Sequence, residues 1–199
     1  SPSKPKMDEV ISPSKKGFGG VEILNRELQE KINPPTKFKK EKRVHDTLFR
    51  EGDKVMQVKN NYDLQYKKDN GEYGTGVFNG DVGFVTDIDI RGGILKVRYD
   101  DKVATYFSED MSQLELAYAV TVHKSQGSEY DYVIIPLLDV PYKLKYRNLL
   151  YTAVTRAKKM LILVGDEAIW TAMAKNDRKT LRYTLLTEFI KEKSTYAFY

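Results

Sequence analysis

The sequence has 199 residues, of which 41% are hydrophobic and 31% are charged. This composition excludes a disordered chain, and the length suits one good-sized domain or one domain with a small insert. No apolar run approaches the roughly 20 residues of a membrane span, and no stretch is typical of a signal peptide. We therefore expect a cytoplasmic protein that does not contact a membrane.

The chain offers few ligands for a metal ion. Cysteine is absent, which excludes a disulfide framework and a thiolate site, and the two histidines, His45 and His123, cannot form a zinc site alone. We predict no metal site. The formal net charge of +5 favours a phosphate-bearing partner such as nucleic acid, although a mildly basic solvated surface is the alternative.

The amino-terminal third predicts one strand and one helix. Residues 1–7 are rich in Ser, Pro and Lys and are typical of a tail. Residues 8–12 suit a short strand that ends before Pro13. Residues 21–32 carry apolar side chains at helical spacing, and Pro34 and Pro35 end that helix. The basic run at 37–43 is typical of a solvated loop.

The middle of the chain changes to the pattern of β-strands. Alternating residues begin at Val55, residues 60–63 have the composition of a turn, and Asn70-Gly71 is a hairpin signal. Short strands at 82–88, 94–99 and 103–107 are separated by turns. This spacing predicts a small β-barrel.

The carboxy-terminal part predicts an α/β sheet. Residues 132–138 and 160–164 are typical of buried parallel strands, with a helix at 146–159 between them and helices at 167–174 and 177–192 after them. We therefore predict a discontinuous α/β domain made of residues 8–61 and 114–199, interrupted by a barrel at 62–113.

Two polar segments are candidates for a site. Residues 119–131 place hydroxyl, imidazole, amine, amide and carboxylate groups beside a buried strand, where α/β sheets often bind ligands, although an ordinary surface turn has the same composition. In the second segment, Arg156 lies at the border of an apolar helix stripe, four residues after Thr152. Its planar guanidinium suits phosphate, although a surface arginine that packs along its stem is the alternative.

These two segments resemble known helicase motifs. Residues 121–131, Thr-Val-His-Lys-Ser-Gln-Gly-Ser-Glu-Tyr-Asp, look like motif V of superfamily 1 helicases. Residues 148–159, Asn-Leu-Leu-Tyr-Thr-Ala-Val-Thr-Arg-Ala-Lys-Lys, look like motif VI. Upstream segments, including 11–13, 21–29 and 52–57, are similar to the RecD-type branch (the alpha chain of exodeoxyribonuclease V), so the resemblance covers about residues 9 to 166.

The resemblance implies a fold and an activity. The fold is a RecA-like parallel-sheet domain of the P-loop NTPase type, without the P-loop half, interrupted by a small SH3-like β-barrel. The activity is that of an ATP-dependent DNA helicase that moves 5′ to 3′ on a single strand in recombination or DNA repair.

The resemblance also implies roles for single residues. Arg156 corresponds to the arginine finger, which would stabilise charge on the γ-phosphate during phosphoryl transfer. Gln126, Gly127 and Glu129 would line the nucleotide, with Glu129 near the ribose. The residues expected near the DNA backbone are Thr121, His123, Lys124 and Ser125, with Asn60, Asn61 and Gln57 as weaker candidates for DNA or interdomain contacts.

One loop departs from the family pattern. The motif IV loop of the family often carries an arginine, whereas this chain has Lys15 and Lys16. Lysine neutralises phosphate without the bidentate geometry of arginine, so we assign these two lysines a weak contact to the nucleotide.

Other parts of an ATPase are missing from the sequence. It contains no G-x-x-x-x-G-K-[ST] phosphate loop, and Asp8-Glu9 precede the apolar pair that a Walker B acid would follow. We therefore predict a carboxy-terminal fragment that binds no cofactor tightly and hydrolyses no ATP alone. The full-length protein would use ATP and Mg²⁺. Its partners would be single-stranded DNA, the amino-terminal RecA-like domain of the same parent chain, and other recombination or repair subunits.

Two alternatives stay open at this point. A small barrel with basic loops and 14 tyrosines suits a non-enzymatic module that binds single-stranded DNA by stacking. A degenerate helicase domain that only docks partners is the other, although the motif V and motif VI residues argue against it.

Overall fold

The computed structural model describes residues 8–177. The helices in this range are α1 (Val21–Ile32), α2 (Arg147–Val154) and α3 (Glu167–Lys175). Four strands form a parallel sheet: β1 (Glu9–Ser12), β11 (Ala119–Thr121), β12 (Tyr130–Leu137) and β13 (Ala157–Gly165). Seven strands form an antiparallel sheet: β4 (Lys54–Gln57), β5 (Asn61–Lys68), β6 (Tyr73–Val77), β7 (Val82–Asp89), β8 (Ile94–Tyr99), β9 (Lys102–Tyr106) and β10 (Leu114–Leu116). A separate hairpin joins β2 (Glu41–Val44) to β3 (Thr47–Arg50).

The parallel sheet has the strand order β11-β1-β12-β13. Its central strands, β1 and β12, are mostly buried, and β12 carries a near-continuous apolar run, as is typical of parallel sheets. Ile11, Val133 and Ile135 are buried in one cluster with Leu149 and Ala153 of α2. This packing confirms the α/β class and fixes the edges at which the polar loops emerge.

The antiparallel sheet has the strand order β10-β4-β7-β8-β9-β5-β6. All seven strands contribute buried side chains to a single cluster, so the sheet curls around its own core. It is wider than the predicted insert at 62–113, because β4 and β10 extend it by one strand at each end of that range. Asn61, predicted to lie in a turn, is the first residue of β5.

The helix predicted at 146–159 is wrong at its carboxyl end. Helix α2 stops at Val154, and β13 begins at Ala157, which pairs with Tyr130 of β12. The backbone hydrogen bonds of the sheet therefore replace those of the last predicted turn, and Arg156 lies in the connection between helix and strand. The helix predicted at 177–192 and the tail at 1–7 lie outside the described residues, apart from residue 177.

Two smaller expectations also change. The basic run at 37–43 enters a strand, since Glu41 opens β2 and pairs with Arg50. Strand β13 is the outer strand of its sheet. Its residues Met160, Ile162 and Val164 are exposed among the described residues, whereas we predicted a buried strand. Within residues 8–177, no helix combines the length and apolar character needed to cross a membrane.

Candidate functional site

The loop between β11 and β12 holds most of the predicted site residues. The β11 strand ends at Thr121 and β12 begins at Tyr130, and both strands run parallel to β1 between them. Because β11 ends at the carboxyl edge and β12 starts at the amino edge, the loop at 122–129 must pass from one edge of the sheet to the other. We call residues 121–130 the crossing loop.

Hydrogen bonds between residues close in sequence fold the first half of the crossing loop into consecutive turns. The Ser125 N–H donates to the Thr121 carbonyl at 3.1 Å, and the Lys124 N–H donates to Thr121 Oγ1 at 3.3 Å. Gly127 then takes a φ of +83°, a left-handed conformation that glycine adopts without steric cost. A side chain there would be strained, so this glycine lets the loop turn towards the amino edge.

Arg156 lies at the amino edge and contacts the end of the crossing loop. Its Nη1 donates to the Ser128 carbonyl at 3.0 Å, and its Nε donates to the Thr152 carbonyl at 3.0 Å. The Tyr130 N–H donates to the Arg156 carbonyl at 2.9 Å. The arginine is thus held by both its side chain and its backbone, with part of the guanidinium exposed.

The predicted nucleotide residues of the crossing loop are exposed beside Arg156. Gln126, Gly127 and Glu129 all lie at the surface, and the Glu129 carboxylate pairs with Lys158 at 2.7 Å. Residues 127–130 line one side of a cleft of about 820 Å³. The opposite side belongs to the antiparallel sheet and includes Asp81, Arg98 and residues 100–102.

The carboxyl edge holds a different set of predicted residues. Lys124 Nζ lies 2.7 Å from Glu115 Oε2, and Lys15 Nζ lies 3.5 Å from Glu115 Oε1. Thr121, Lys15 and Lys124 line one shallow pocket with Val21, the first residue of α1. The neighbouring Lys16 and His123 are exposed.

The structure therefore divides the predicted site between two edges of one sheet. Lys15, predicted to contact the nucleotide, lies with the DNA candidates Thr121 and Lys124 at the carboxyl edge. Arg156 and Glu129 lie at the amino edge. The crossing loop is the connection between the two groups.

Two predicted contacts are directed into the protein. Ser125 is fully buried, and its hydroxyl donates to the Val122 carbonyl at 2.8 Å, so it holds the turn and does not face the surface. Gln57 is also fully buried, where it accepts a hydrogen bond from the Tyr106 hydroxyl at 2.8 Å. Neither side chain can reach DNA in this conformation.

The two asparagines stabilise the antiparallel sheet. Asn60 Oδ1 accepts from the Asn79 N–H at 2.9 Å, and Asn61 Nδ2 donates to Asp110 and Gln113, each at 3.1 Å. Asn60 remains exposed and Asn61 is half-buried, so both are still within reach of a partner.

A buried ion pair beside the cleft was missed by the sequence analysis. Glu9, on β1, and Lys54, on β4, are both buried and lie 2.8 Å apart. Glu9 Oε1 has no hydrogen-bond partner. Burial raises the pKa of Glu9 to about 7, although the charge of Lys54 acts in the opposite direction. A lone glutamate before an apolar pair carries no sequence signal for such a contact.

Two family models match the chain. Residues 24–99 match the SH3 domain of ATP-dependent RecD-like DNA helicases. Residues 116–164, which include the crossing loop and Arg156, match the C-terminal domain of UvrD-like helicases.

Curated relatives extend this similarity to most of the chain. The ATP-dependent RecD2 DNA helicase of Deinococcus radiodurans is 34% identical over 183 residues, which are 92% of this chain and 23% of that protein. The RecBCD enzyme subunit RecD of Buchnera aphidicola subsp. Schizaphis graminum is 26% identical over 168 residues, which are 83% of this chain and 26% of that protein. The chain thus spans about a quarter of the length of these relatives.

Solved structures show the same fold. The crystal structure of Bacteroides Pif1 bound to ssDNA superposes with a TM-score of 0.56 at 17% identity, covering 98% of this chain and 47% of that one. Pif1 helicase from Candida albicans superposes with a TM-score of 0.51 at 14% identity, covering 98% of this chain and 52% of that one. The solved structures show the fold, whereas the family models and the curated relatives show that the chain is a segment of a RecD-type helicase, with the SH3 domain and part of a UvrD-like C-terminal domain.

Proposed function

We propose that this chain supplies the second motor domain of an ATP-dependent DNA helicase that moves 5′ to 3′ on a single strand. Arg156 acts as the arginine finger, and Gln126, Gly127 and Glu129 contact the nucleotide. Thr121, His123 and Lys124 contact the DNA backbone. The chain is inactive as an ATPase by itself, since the phosphate loop belongs to a first motor domain outside this sequence.

The observation that carries this proposal is the path of the crossing loop. Its first turn presents Thr121 and Lys124 at the carboxyl edge, and its last residues accept a hydrogen bond from Arg156 at the amino edge. A movement at either end is transmitted through a short backbone segment. A loop biased by ligands at both ends can couple DNA contact to the state of the nucleotide.

The amino edge fits part of a nucleotide. The partly exposed guanidinium of Arg156 suits a phosphate, the Glu129 carboxylate, which pairs with Lys158, suits ribose hydroxyls, and open space around Gly127 lets a ligand approach the backbone closely. ATP would supply the γ-phosphoryl group whose transfer to water drives the motor. Among residues 8–177, no group of three or more His, Cys, Asp or Glu side chains could hold a metal ion.

The carboxyl edge suits a phosphodiester backbone. Lys15, Lys124 and the Thr121 hydroxyl lie around one pocket, and such groups hold a strand without reading its sequence. We therefore expect binding of single-stranded DNA to weaken as the salt concentration rises.

The test is an Arg156→Ala substitution in the full-length protein, measured by steady-state ATP hydrolysis and by binding of a labelled single strand. We expect hydrolysis to fall by about a thousandfold or more, as for other arginine fingers, while DNA binding is retained. Arg147→Ala is the matched control, because Arg147 lies at the other end of α2 and contacts Ala174. Wild-type hydrolysis by the Arg156 variant would remove the assignment.

A stacking module in the antiparallel sheet is the second candidate function. Tyr62 and Phe78 are 66% and 44% exposed, and their rings meet edge to face with centroids 5.6 Å apart. Exposed aromatic rings can stack on bases. If this surface is the main grip, a Tyr62→Ala/Phe78→Ala variant loses about tenfold or more in affinity for single-stranded DNA. Tyr73→Ala, at the turn end of the same β5–β6 hairpin, is the control.

A further inference from the structure

Glu115 occupies the position that a phosphate would take at the carboxyl edge. Its two carboxylate oxygens each face one lysine, Lys124 at 2.7 Å and Lys15 at 3.5 Å. The lysines come from different loops of the parallel-sheet unit, whereas Glu115 lies on β10 of the antiparallel sheet. A carboxylate bridging two ammonium groups satisfies the same charges that a phosphodiester would satisfy.

The positive charge in this pocket comes from lysine side chains and not from free N–H groups at the start of α1. The first N–H groups of α1 are already used, since the Val21 N–H donates to Ser14 and the Glu22 N–H donates to Lys15. The side-chain donors in the lining of this pocket are therefore the two ammonium groups and the Thr121 hydroxyl, beside mostly apolar side chains. While Glu115 is in place, both ammonium groups are engaged.

The contact is weak enough to be exchanged. The side chains of Lys15, Lys124 and Glu115 are 58%, 34% and 38% exposed. Ion pairs at such exposure are weak, because water and salt screen the two charges. The two lysines lower the pKa of Glu115 against the opposing effect of burial, so the carboxylate stays charged at neutral pH.

We propose that Glu115 is an internal competitor for the phosphate groups of single-stranded DNA, displaced from Lys15 and Lys124 when a strand binds. This inference rests on the proposed function, because it assumes that the carboxyl edge contacts DNA. Displacement of Glu115 breaks its contacts with Lys15 and Lys124. Binding of single-stranded DNA therefore also removes one contact between the two sheets. Glu115 thereby sets the affinity for DNA without touching it.

The test is fluorescence anisotropy of the 199-residue chain with a labelled oligothymidylate, comparing wild type with Glu115→Gln. The amide keeps the size of the side chain and loses its charge. We expect Glu115→Gln to bind about threefold tighter, which is the gain expected from releasing a surface ion pair. The dependence of affinity on salt also becomes steeper, because two more cations are free to meet phosphate.

Glu72→Gln is the matched control for net charge. Glu72 lies in the turn between β5 and β6 and pairs with Lys68 at 3.2 Å, and its replacement removes the same single charge. We expect no gain in DNA affinity in Glu72→Gln. The gain must also disappear in a Glu115→Gln/Lys124→Gln double variant, because the competed cation is then missing.

The outcomes separate this inference from the proposed function. If Lys124→Gln weakens binding but Glu115→Gln matches wild type or Glu72→Gln, the competitor is rejected and the DNA contact stands. If neither Lys124→Gln nor Glu115→Gln changes the affinity for DNA, or if no binding is detected, both the competitor role of Glu115 and the DNA contact at the carboxyl edge are rejected. Weaker binding by Glu115→Gln also overturns the inference, since it makes Glu115 a support for the lysines.

Discussion

Two buried carboxylates lie where the antiparallel sheet meets the rest of the molecule, and they differ in how completely they are paired. Asp53 is fully buried and accepts four hydrogen bonds, from Gln29 Nε2 at 2.6 Å, Asn33 Nδ2 at 2.7 Å, the Tyr118 hydroxyl at 2.9 Å and the Arg50 N–H at 2.7 Å. Glu9 has Lys54 on one oxygen and no partner on the other.

The difference indicates which contact is fixed and which can change. A buried charge that is fully hydrogen-bonded holds one arrangement, because every alternative leaves polar groups unpaired. Burial and the charge of Asp53 both raise the pKa of Tyr118, so its hydroxyl remains a donor. Glu9 lies beside the cleft and the end of the crossing loop, and it exchanges a proton near neutral pH.

The largest expected effect is the loss of the Asp53 contact. Asp53→Ala removes the acceptor of one N–H of Gln29, of one N–H of Asn33 and of the Tyr118 hydroxyl in a buried site, and we expect a loss of about 3–5 kcal/mol in the free energy of unfolding. Urea denaturation of this chain measures it. Asp53→Asn keeps the volume of the side chain and one acceptor, so it should lose less unfolding free energy. Equal stability of Asp53→Ala and wild type would contradict a structural role for Asp53.

The next effect is a dependence of stability on pH that comes from Glu9. Its pKa is raised from 4.5 to about 7 on folding, so the folded protein binds this proton more tightly than the unfolded chain. The contribution is fully present below about pH 4.5 and is lost as the pH rises through 7, by up to about 3 kcal/mol.

Glu9→Gln tests this origin. The amide does not titrate, so the fall in unfolding free energy between pH 5 and pH 8 should flatten. Asp87 and Glu115 do not confuse the measurement, because their pKa values are lowered and they titrate below this window. A wild-type slope that survives in Glu9→Gln would assign the titration to another group.

A smaller effect is expected for one donor of the Asp53 contact. Gln29→Ala removes a single hydrogen bond to Asp53 and another to the Leu48 carbonyl, while three partners of the carboxylate remain. We expect a loss of about 1–3 kcal/mol in unfolding free energy. A loss as large as that of Asp53→Ala would mean that the contact depends on this one donor.

The smallest expected effect is that of the exposed contact at Glu115. Glu115→Gln should change the unfolding free energy by less than about 1 kcal/mol, because the pair is partly solvated. The same variant is expected to alter DNA affinity, so stability and binding separate at this position. A loss of several kcal/mol would place Glu115 with Asp53 as a structural contact.

Local patterns predicted much of the fold. Helix α1 matches its predicted bounds, because apolar spacing and two prolines define it, and the Asn70-Gly71 hairpin joins β5 to β6 as expected. The end of α2 could not be predicted from spacing alone. Ala157 suits a helix equally well, and only its pairing with Tyr130 across the sheet assigns it to a strand.

The candidate site was predictable in composition but not in arrangement. The sequence identified the crossing loop and Arg156, yet Lys15 and Lys124 meet at Glu115 only because β10 belongs to the antiparallel sheet. Ser125 has the chemistry of a phosphate contact, and only its burial shows that the hydroxyl serves the turn. Long-range packing decides both points, and a linear pattern carries no record of it.

We propose that the crossing loop connects DNA contact at the carboxyl edge to Arg156 at the amino edge. The most direct test is the rate of ATP hydrolysis by the full-length protein with Lys124→Gln, measured as single-stranded DNA is added. We expect an unchanged rate without DNA and a several-fold higher DNA concentration for half-maximal stimulation. A DNA dependence identical to that of the wild type would contradict it.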